Sequence, residues 1–199
     1  DELLDNNCRS ENWFSNNKCS EDGVIWLSKK NNMWQMEYFN HDGSSAAMCG
    51  NGARSAFFYL HKLHNLSKNT WHTLLTSSGE VKGKIDSDGY PIVSMPKPIF
   101  VSKVIFNNST VHHLQVGVNH VAKQVKTIEQ LESFDLESFF TEIRNSGLVP
   151  AIANVNVFYF EANRVWLSTF ENGVNRETKA CGTGCTAISY LLKNQLNSP

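Results

Sequence analysis

A repeated segment that combines cysteine with glycine constrains this chain more than any other feature. Residues 47–64 read AMCGNGARSAFFYLHKLH, and residues 179–194 read KACGTGCTAISYLLKN. Each copy contains Cys-Gly-x-Gly, then small residues, then an apolar run. Because the copies are separated by roughly half of a small protein, they predict a duplicated unit. In each unit a tight, glycine-containing turn is expected to open a helix.

Each copy is expected to place a cysteine, Cys49 or Cys181, at the start of its helix. The unpaired N–H groups and the positive end of the helix dipole favour an anion there. They would stabilise a thiolate over a thiol, so we expect two exposed thiols of low pKa. The same amides could equally hold a substrate carboxylate. Those amides belong to Gly50, Asn51, Gly182 and Thr183.

The two glycines of each turn, at 50 and 52 and at 182 and 184, are expected to let the backbone approach a ligand closely. Beyond each turn the helix is apolar on several sides, which predicts that a sheet wraps around it. The predicted core residues of the first helix are Ala53, Ala56, Phe57, Phe58, Leu60 and Leu63. Those of the second helix are Ala187, Ile188, Leu191 and Leu192.

Composition excludes several classes of function. The 199 residues are 41% hydrophobic and 19% charged, with a formal net charge of -1, as in an ordinary soluble protein. The absence of a basic stripe argues against nucleic acid as a partner, and near-neutrality gives no argument for a membrane surface. No apolar stretch approaches the roughly 20 residues that span a bilayer, and the acidic N-terminus does not resemble a signal peptide. We therefore expect a cytoplasmic protein, and an incomplete chain because Asp1 is not an initiator methionine.

The cysteine spacing does not indicate a metal site. The five cysteines show neither paired CxxC zinc spacing nor a secreted disulfide pattern. They are Cys8, Cys19, Cys49, Cys181 and Cys185. Two thiols one helical turn apart, without histidine or carboxylate neighbours, make a poor metal site, so none is expected. A purely structural interpretation treats Cys49 and Cys181 as small buried hydrophobic residues, against which the two matching turns argue.

The distribution of strands and helices predicts an α+β fold of two domains, residues 1–97 and 98–199, with antiparallel strands and one apolar helix in each. Pro96 and Pro98 interrupt the strand pattern at the boundary. Residues 1–18 are predicted as a loop or short helical turn. Strands are predicted at 23–27, 33–40, 72–76, 81–85, 92–95, 103–106, 112–118, 155–161 and 164–170, and a further helix at 136–144 after an acidic linker.

Two thiols on opposite faces of a carbon acid can invert a stereocentre. If the two halves face each other across a cleft, one thiolate removes a proton while the opposite thiol delivers another. Helix N-termini that hold the carboxylate of an amino acid would stabilise the charge that develops at Cα. The sequence has no P-loop, no dinucleotide fingerprint and no clear lysine context for a pyridoxal Schiff base. We therefore expect a cofactor-free reaction on a small amino-acid substrate.

Two motifs resemble the diaminopimelate epimerase family. They are Tyr38–Ser44, which runs into Met48–Arg54, and Glu177–Gly184. Weaker likenesses at 21–23, 117–120, 154–156 and 170–173 extend the resemblance over nearly the whole chain. It implies two similar domains, each a mostly antiparallel sheet rolled around a central helix, with the active site between them. It also implies pyridoxal-independent conversion of LL-diaminopimelate to the meso isomer, which serves lysine and peptidoglycan precursor biosynthesis.

The resemblance further implies roles for individual residues. Cys49 and Cys181 would be the acid/base thiols, and His120 and Glu171 would support them. Substrate contacts would come from Asn40, Gly50, Asn51, Asn154, Asn172, Gly182 and Thr183. The family usually has arginine at position 172, where its guanidinium would bind a distal carboxylate bidentately. Asn172 departs from that pattern, and Arg176 is a nearby candidate to replace it.

Several alternatives remain open at the level of sequence. A relative with the same fold could racemise a different amino acid. A cysteine hydrolase would pair one thiolate with a histidine such as His41 or His120. A non-catalytic relative could bind an amino acid through the helix N-termini alone. The sequence does not fix the oligomeric state, and a homodimer is compatible with it.

Overall fold

The computed structural model describes residues 23–40, 43–46 and 49–196. The chain divides into two compact units, residues 1–94 and 95–199. The sequence predicts the boundary between the two domains three residues later, after Lys97. The loop predicted at 1–18 lies outside the described residues.

The first unit contains a six-stranded sheet and one helix. Its elements are β1 (Gly23–Lys30), β2 (Met33–Asn40), β3 (Ser45–Ala46), α1 (Gly50–His64), β4 (His72–Thr76), β5 (Gly79–Ile85) and β6 (Pro91–Val93). The strand order is β1-β2-β4-β5-β6, and β3 pairs with β2. β2 and β4 are parallel, and the other pairs are antiparallel. A parallel pair needs a crossover, which α1 supplies.

α1 buries one face against this sheet. Its buried residues, spaced by three and four along the helix, are Gly50, Gly52, Ala53, Ala56, Phe57 and Leu60. Phe57 packs so closely on β5 that a Cβ at Gly83 would lie 2.2 Å from the Phe57 ring. The predicted burial of Phe58 and Leu63 is wrong, since these side chains are 42% and 62% exposed. Phe58 falls outside the stripe that faces the sheet, whereas Leu63 continues the stripe into the last turn of the helix, where it is exposed.

The second unit repeats this plan with longer strands and more helices. Its strands are β7 (Ile99–Phe106), β8 (Ser109–Val116), β9 (Val118–Gln124), β10 (Ala153–Glu161), β11 (Arg164–Glu171) and β12 (Arg176–Thr178). Its helices are α2 (Ile128–Glu132), α3 (Leu136–Asn145) and α4 (Gly182–Leu196). The strand order is β12-β11-β10-β9-β8-β7. β9 and β10 are parallel, and the remaining pairs are antiparallel.

Helices cover both faces of the second sheet. On one face, valines of β8, β9 and β10 pack with α3; they are Val111, Val121, Val155 and Val157. On the other face, α4 packs on Leu114, Val116, Ala122 and Phe158. This alternation follows from the two-residue period of a strand. The predicted burial of Ala187, Ile188, Leu191 and Leu192 is confirmed.

The predicted α+β class with two domains is confirmed by these two mixed sheets and their helices. One predicted strand, at 112–118, is interrupted. Gly117 adopts a positive φ of 72°, so β8 ends at Val116 and β9 begins at Val118. The predicted acidic linker also contains a short helix, α2. Its N-cap is Thr127, whose side chain accepts from the Gln130 N–H.

Candidate active site

Cys49 and Cys181 cap their helices in the same way. In each case the cysteine carbonyl accepts from the N–H four residues later, at 2.8 and 2.9 Å. The Cys49 sulfur accepts from the Gly52 N–H at 3.2 Å, and the Cys181 sulfur accepts from the Gly184 N–H at 3.4 Å. Each thiol thus serves as an N-cap and pairs an amide that has no acceptor within the helix. The predicted position of both cysteines at helix starts is confirmed.

The second glycine of each turn lies in close contact with other parts of the protein, and the contact is tighter at Gly184 than at Gly52. A Cβ at Gly184 would lie 2.4 Å from Asn156 Oδ1 and 3.3 Å from the capping sulfur. A Cβ at Gly52 would lie 3.2 Å from the Tyr38 ring and 3.3 Å from its own capping sulfur. These two glycines were expected to let a ligand approach. That expectation stays a prediction; within the protein, the close neighbours of both glycines are the sheet beneath and the capping sulfur.

Cys181 is buried, with 6% of its surface exposed. Burial raises the pKa of the Cys181 thiol to about 11, and the Glu171 carboxylate acts in the same direction. Hydrogen bonds with Thr183, whose hydroxyl lies 3.4 Å from the sulfur, and with Gly184 oppose that rise in pKa. The expectation of an exposed thiol of low pKa is therefore wrong for Cys181. Desolvation outweighs the stabilising hydrogen bonds at the helix start.

Polar side chains gather on the sheet face that carries α4. Asn156 precedes Phe158 by two residues, so its side chain lies on the same face, which packs against α4. Gly184, in the first turn of α4, lies directly against Asn156 and Thr169. This face is thus apolar beneath the body of α4 and polar beneath its first turn. The polar residues of this face include His120, Asn154, Asn156, Thr169, Glu171 and Thr178.

His120 is fully buried, and its ring forms a hydrogen bond with the side chain of Asn156. Asn156 Nδ2 lies 3.0 Å from His120 Nδ1. Burial lowers the pKa of His120 to about 4, and His113 acts in the same direction. The imidazole is therefore neutral at physiological pH. Asn156 lies in the stretch 154–156, which resembles the family, but no pattern in the sequence marked it as a site residue.

Glu171, at the end of β11, is half-buried and accepts a short hydrogen bond from the Thr178 hydroxyl. Its charge contributes to the raised pKa of Cys181, which indicates that the carboxylate lies near the thiol. Thr178 was not singled out as a site residue by the sequence. Its position inside the Glu177–Gly184 motif was the signal that could have identified it.

The predicted substrate asparagines also make contacts within the protein. Asn40 donates from Nδ2 to the Ser44 hydroxyl at 3.0 Å. Asn154 Oδ1 accepts from the backbone N–H of Asn172 at 2.9 Å. The side chains of Asn40 and Asn154 are each 8% exposed. Asn154 and Asn172 are thus brought together, while Asn40 belongs to a turn in the first unit.

The four residues predicted to bind a carboxylate open the two cysteine helices. Gly50 is buried and Asn51 is exposed in the first turn of α1. Gly182 is half-buried and Thr183 is buried in the first turn of α4. N–H groups of a first turn have no acceptor within their own helix, so they suit an anionic ligand.

Two further properties of the described ranges bear on function. Within them, no three histidine, cysteine, aspartate or glutamate side chains come together in a way that could hold a metal ion. None of the helices in these ranges combines the length and the apolar character that crossing a membrane requires.

This two-domain α+β fold places the protein in a structural class that includes a hydroxyproline epimerase from Agrobacterium vitis. The two structures match with a TM-score of 0.65 over 89% of this chain and 61% of that chain. Their sequences are 17% identical. The likeness therefore shows the fold.

Sequence comparison identifies the family within this class. A profile of diaminopimelate epimerase matches residues 14–101. The diaminopimelate epimerase of Thermotoga maritima is 34% identical over 87% of this chain and 70% of that protein. That of Campylobacter jejuni is 33% identical over 84% of this chain and 64% of that protein.

The chain belongs to the diaminopimelate epimerase family, as the resemblance of its motifs predicts. It spans 70% and 64% of the length of these two relatives. Membership of this family identifies an isomerase, and more narrowly an amino-acid epimerase.

Proposed function

We propose that the protein epimerises an amino acid at Cα without pyridoxal phosphate and that it converts LL-diaminopimelate to the meso isomer. The observation that carries the proposal is the equivalent geometry of Cys49 and Cys181. Each is an N-cap whose sulfur accepts a backbone N–H. Because the chain spans only part of its relatives' length, the activity of the whole protein belongs to this proposal.

In the proposed reaction, one cysteine acts as a base and the other as an acid. Burial keeps Cys181 protonated at neutral pH, since its pKa is raised to about 11. Cys181 is therefore assigned as the resting proton donor. Cys49, as a thiolate, removes the Cα proton, and the Cys181 thiol delivers its own proton to the opposite face of the carbon. The product state then holds a Cys49 thiol and a Cys181 thiolate, which is the form that runs the reaction backwards.

The carbanion formed at Cα requires electrostatic stabilisation. First-turn amides would supply it by binding the α-carboxylate at the positive ends of the two helix dipoles. They belong to Gly50, Asn51, Gly182 and Thr183. No cofactor is required in this scheme, because fixed backbone dipoles provide the help that an electron sink otherwise gives.

Five further residues are assigned to the proposed site. Glu171 favours the protonated form of Cys181, because a negative carboxylate near a thiol opposes its ionisation. His120 supports the catalytic groups as a neutral imidazole. Asn154 and Asn172, which contact each other, would bind the substrate together with Asn40.

Solvent exchange across a panel of amino acids tests the proposed substrate. The protein is incubated in deuterium oxide with LL-diaminopimelate, proline, hydroxyproline or glutamate, and deuterium at Cα is measured by mass spectrometry. Exchange with diaminopimelate, accompanied by the meso isomer, is expected. Exchange with a different amino acid alone would assign a related racemase. Binding of diaminopimelate without exchange would favour a non-catalytic relative.

The proposed reaction also bears on the remaining expectations. Its substrate is a small amino acid, and a role in lysine and peptidoglycan precursor biosynthesis would place the protein in the cytoplasm. The homodimer stays a prediction, which sedimentation of the full-length protein would test.

A further inference from the structure

Asn156 is the centre of a buried polar network on β10. Asn156 and His120 are 0% exposed, and Thr169 is 3% exposed. Asn156 Nδ2 lies 3.1 Å from the Val121 carbonyl oxygen and 3.0 Å from His120 Nδ1. Asn156 Oδ1 accepts from the Thr169 hydroxyl at 3.0 Å. Each polar atom of the amide therefore has a partner inside the protein.

The Val121 carbonyl fixes the orientation of this amide. A carbonyl oxygen can only accept a hydrogen bond, so the amide atom beside it must be the donor Nδ2. Oδ1 then faces Thr169, whose hydroxyl is free to donate. Both hydrogens of Nδ2 are used, one by Val121 and one by His120 Nδ1.

This orientation determines where His120 carries its proton. A ring nitrogen that accepts a hydrogen bond carries no proton, so Nδ1 is unprotonated and the single ring proton is on Nε2. In the imidazolium, the additional proton on Nδ1 would face the N–H of Asn156, and both groups are buried. Such a donor-against-donor contact disfavours the imidazolium, in the same direction as the burial that lowers the pKa of His120.

We propose that Asn156 is a positioning residue that holds His120 in the neutral Nε2–H tautomer. His120 Nε2 is buried and has no hydrogen-bond partner within the part of the chain that the structure describes. The Nδ1 lone pair is engaged by Asn156, and Nε2 carries the ring proton. The ring can therefore donate a hydrogen bond from Nε2–H, but it has no free lone pair to accept a proton. On the proposed function, His120 therefore supports the reaction by donating a hydrogen bond from Nε2–H. It cannot serve as the general base that a cysteine hydrolase requires.

Histidine NMR on the intact protein tests this tautomer directly. Long-range proton–nitrogen correlations of protein labelled with 15N-histidine distinguish a protonated ring nitrogen from an unprotonated one. His120→Gln identifies the His120 signals by their loss. An unprotonated Nδ1 and a protonated Nε2, unchanged between about pH 5.5 and 8.5, are expected. A protonated Nδ1, or a ring that titrates in this range, would overturn the proposal.

Two variants at the network test the role of Asn156 itself. Asn156→Asp replaces the donor beside Nδ1 by a carboxylate, so Nδ1 should become protonated. Asn156→Ala, which introduces no buried charge, should leave both tautomers detectable. Thr169→Val is the matched control, because it removes a buried hydroxyl from the same network while Val121 still orients the amide. In Thr169→Val, His120 should retain the Nε2–H tautomer.

The neighbouring His113 provides an internal reference. It lies on β8, bonds to Asn119 Oδ1 at 3.0 Å, and is the titratable group whose charge lowers the pKa of His120. The His113 ring should keep the same tautomer in both Asn156 variants and in the parent protein, because its partner Asn119 is unchanged. An unchanged His120 tautomer in Asn156→Asp and in Asn156→Ala would show that Asn156 does not control it. Because this readout needs no turnover, its failure is distinguishable from a failure of the proposed function.

Discussion

The backbone N–H of Gly184 donates to the sulfur of Cys181 at 3.4 Å, and the N–H of Gly52 donates to the sulfur of Cys49 at 3.2 Å. Serine, threonine, aspartate and asparagine are the preferred N-caps, because oxygen accepts a hydrogen bond better than sulfur does. The protein uses a weaker cap at the equivalent position of both units. On the proposed function, this choice favours the chemistry of a thiol over the stability of the helix.

Gly184→Ala should destabilise the protein by about 1–3 kcal/mol, as overpacking of a core does. The new Cβ would lie 2.4 Å from Asn156 Oδ1, which is held on both sides by buried partners. Gly182→Ala is the matched control in the same turn, because its Cβ would meet only the flexible end of Met95, at 3.0 Å. Urea denaturation measures both free energies of unfolding. Equal losses in the two variants would contradict the packing described here.

Cys181 should make stability depend on pH in alkaline solution. Its pKa is about 11 in the folded protein, against an ordinary value of 9.0, so the unfolded chain loses this proton first. The contribution of the protonated Cys181 thiol to the free energy of unfolding is intact below about pH 9, and it declines as pH rises towards about 11. Relative to Cys181→Ser, the parent protein should lose about 1 kcal/mol of unfolding free energy between pH 8 and pH 10. Parallel pH profiles for the two proteins would show that the Cys181 pKa is not raised.

Cys185 should react with iodoacetamide well before Cys181. Alkylation requires both a thiolate and access to the sulfur. Cys185 is exposed, whereas Cys181 is buried and its pKa is raised. Timed alkylation at about pH 8 followed by peptide mass spectrometry measures both rates in one sample. Labelling of Cys181 as fast as that of Cys185 would argue against its burial.

The sequence identified the features that depend on local pattern. The Cys-Gly-x-Gly turns predicted two helix starts, and the apolar run of α4 predicted its buried residues correctly. Phe58 was mistaken for core because apolar character alone does not show which side of a helix faces the sheet. Leu63 was mistaken for core because its spacing continues the buried stripe into the last turn, where it is exposed. Gly117 was overlooked because a single glycine can either continue a strand or turn it.

Features that depend on distant residues could not be predicted. The network of Asn156 joins residues 36 and 13 positions apart, on three different strands. Its existence depends on the register of β9, β10 and β11, which the motifs do not specify. The raised pKa of Cys181 has the same origin, because the burial of this residue at the start of α4 depends on how the chain packs around it.

Thr178→Val should lower kcat by about tenfold, since hydrogen bonds to charged groups contribute about 1.5–3 kcal/mol. Valine has a similar shape but cannot donate to the Glu171 carboxylate, which then loses this hydrogen bond. Thr178→Ser keeps the hydroxyl and should retain most of the activity. Steady-state kinetics with diaminopimelate measures both variants. Equal kcat values for Thr178→Val and Thr178→Ser would exclude a role for this hydrogen bond.

Deuterium incorporation at Cα by single-cysteine variants tests the two-thiol reaction most directly. Cys49→Ser and Cys181→Ser are compared with the parent protein, using LL-diaminopimelate in deuterium oxide, with Cys185→Ser as a control thiol outside the proposed pair. The account predicts that either of the first two substitutions abolishes formation of the labelled meso isomer, while Cys185→Ser leaves it intact. Formation of that isomer at the parental rate by Cys49→Ser or by Cys181→Ser would contradict it.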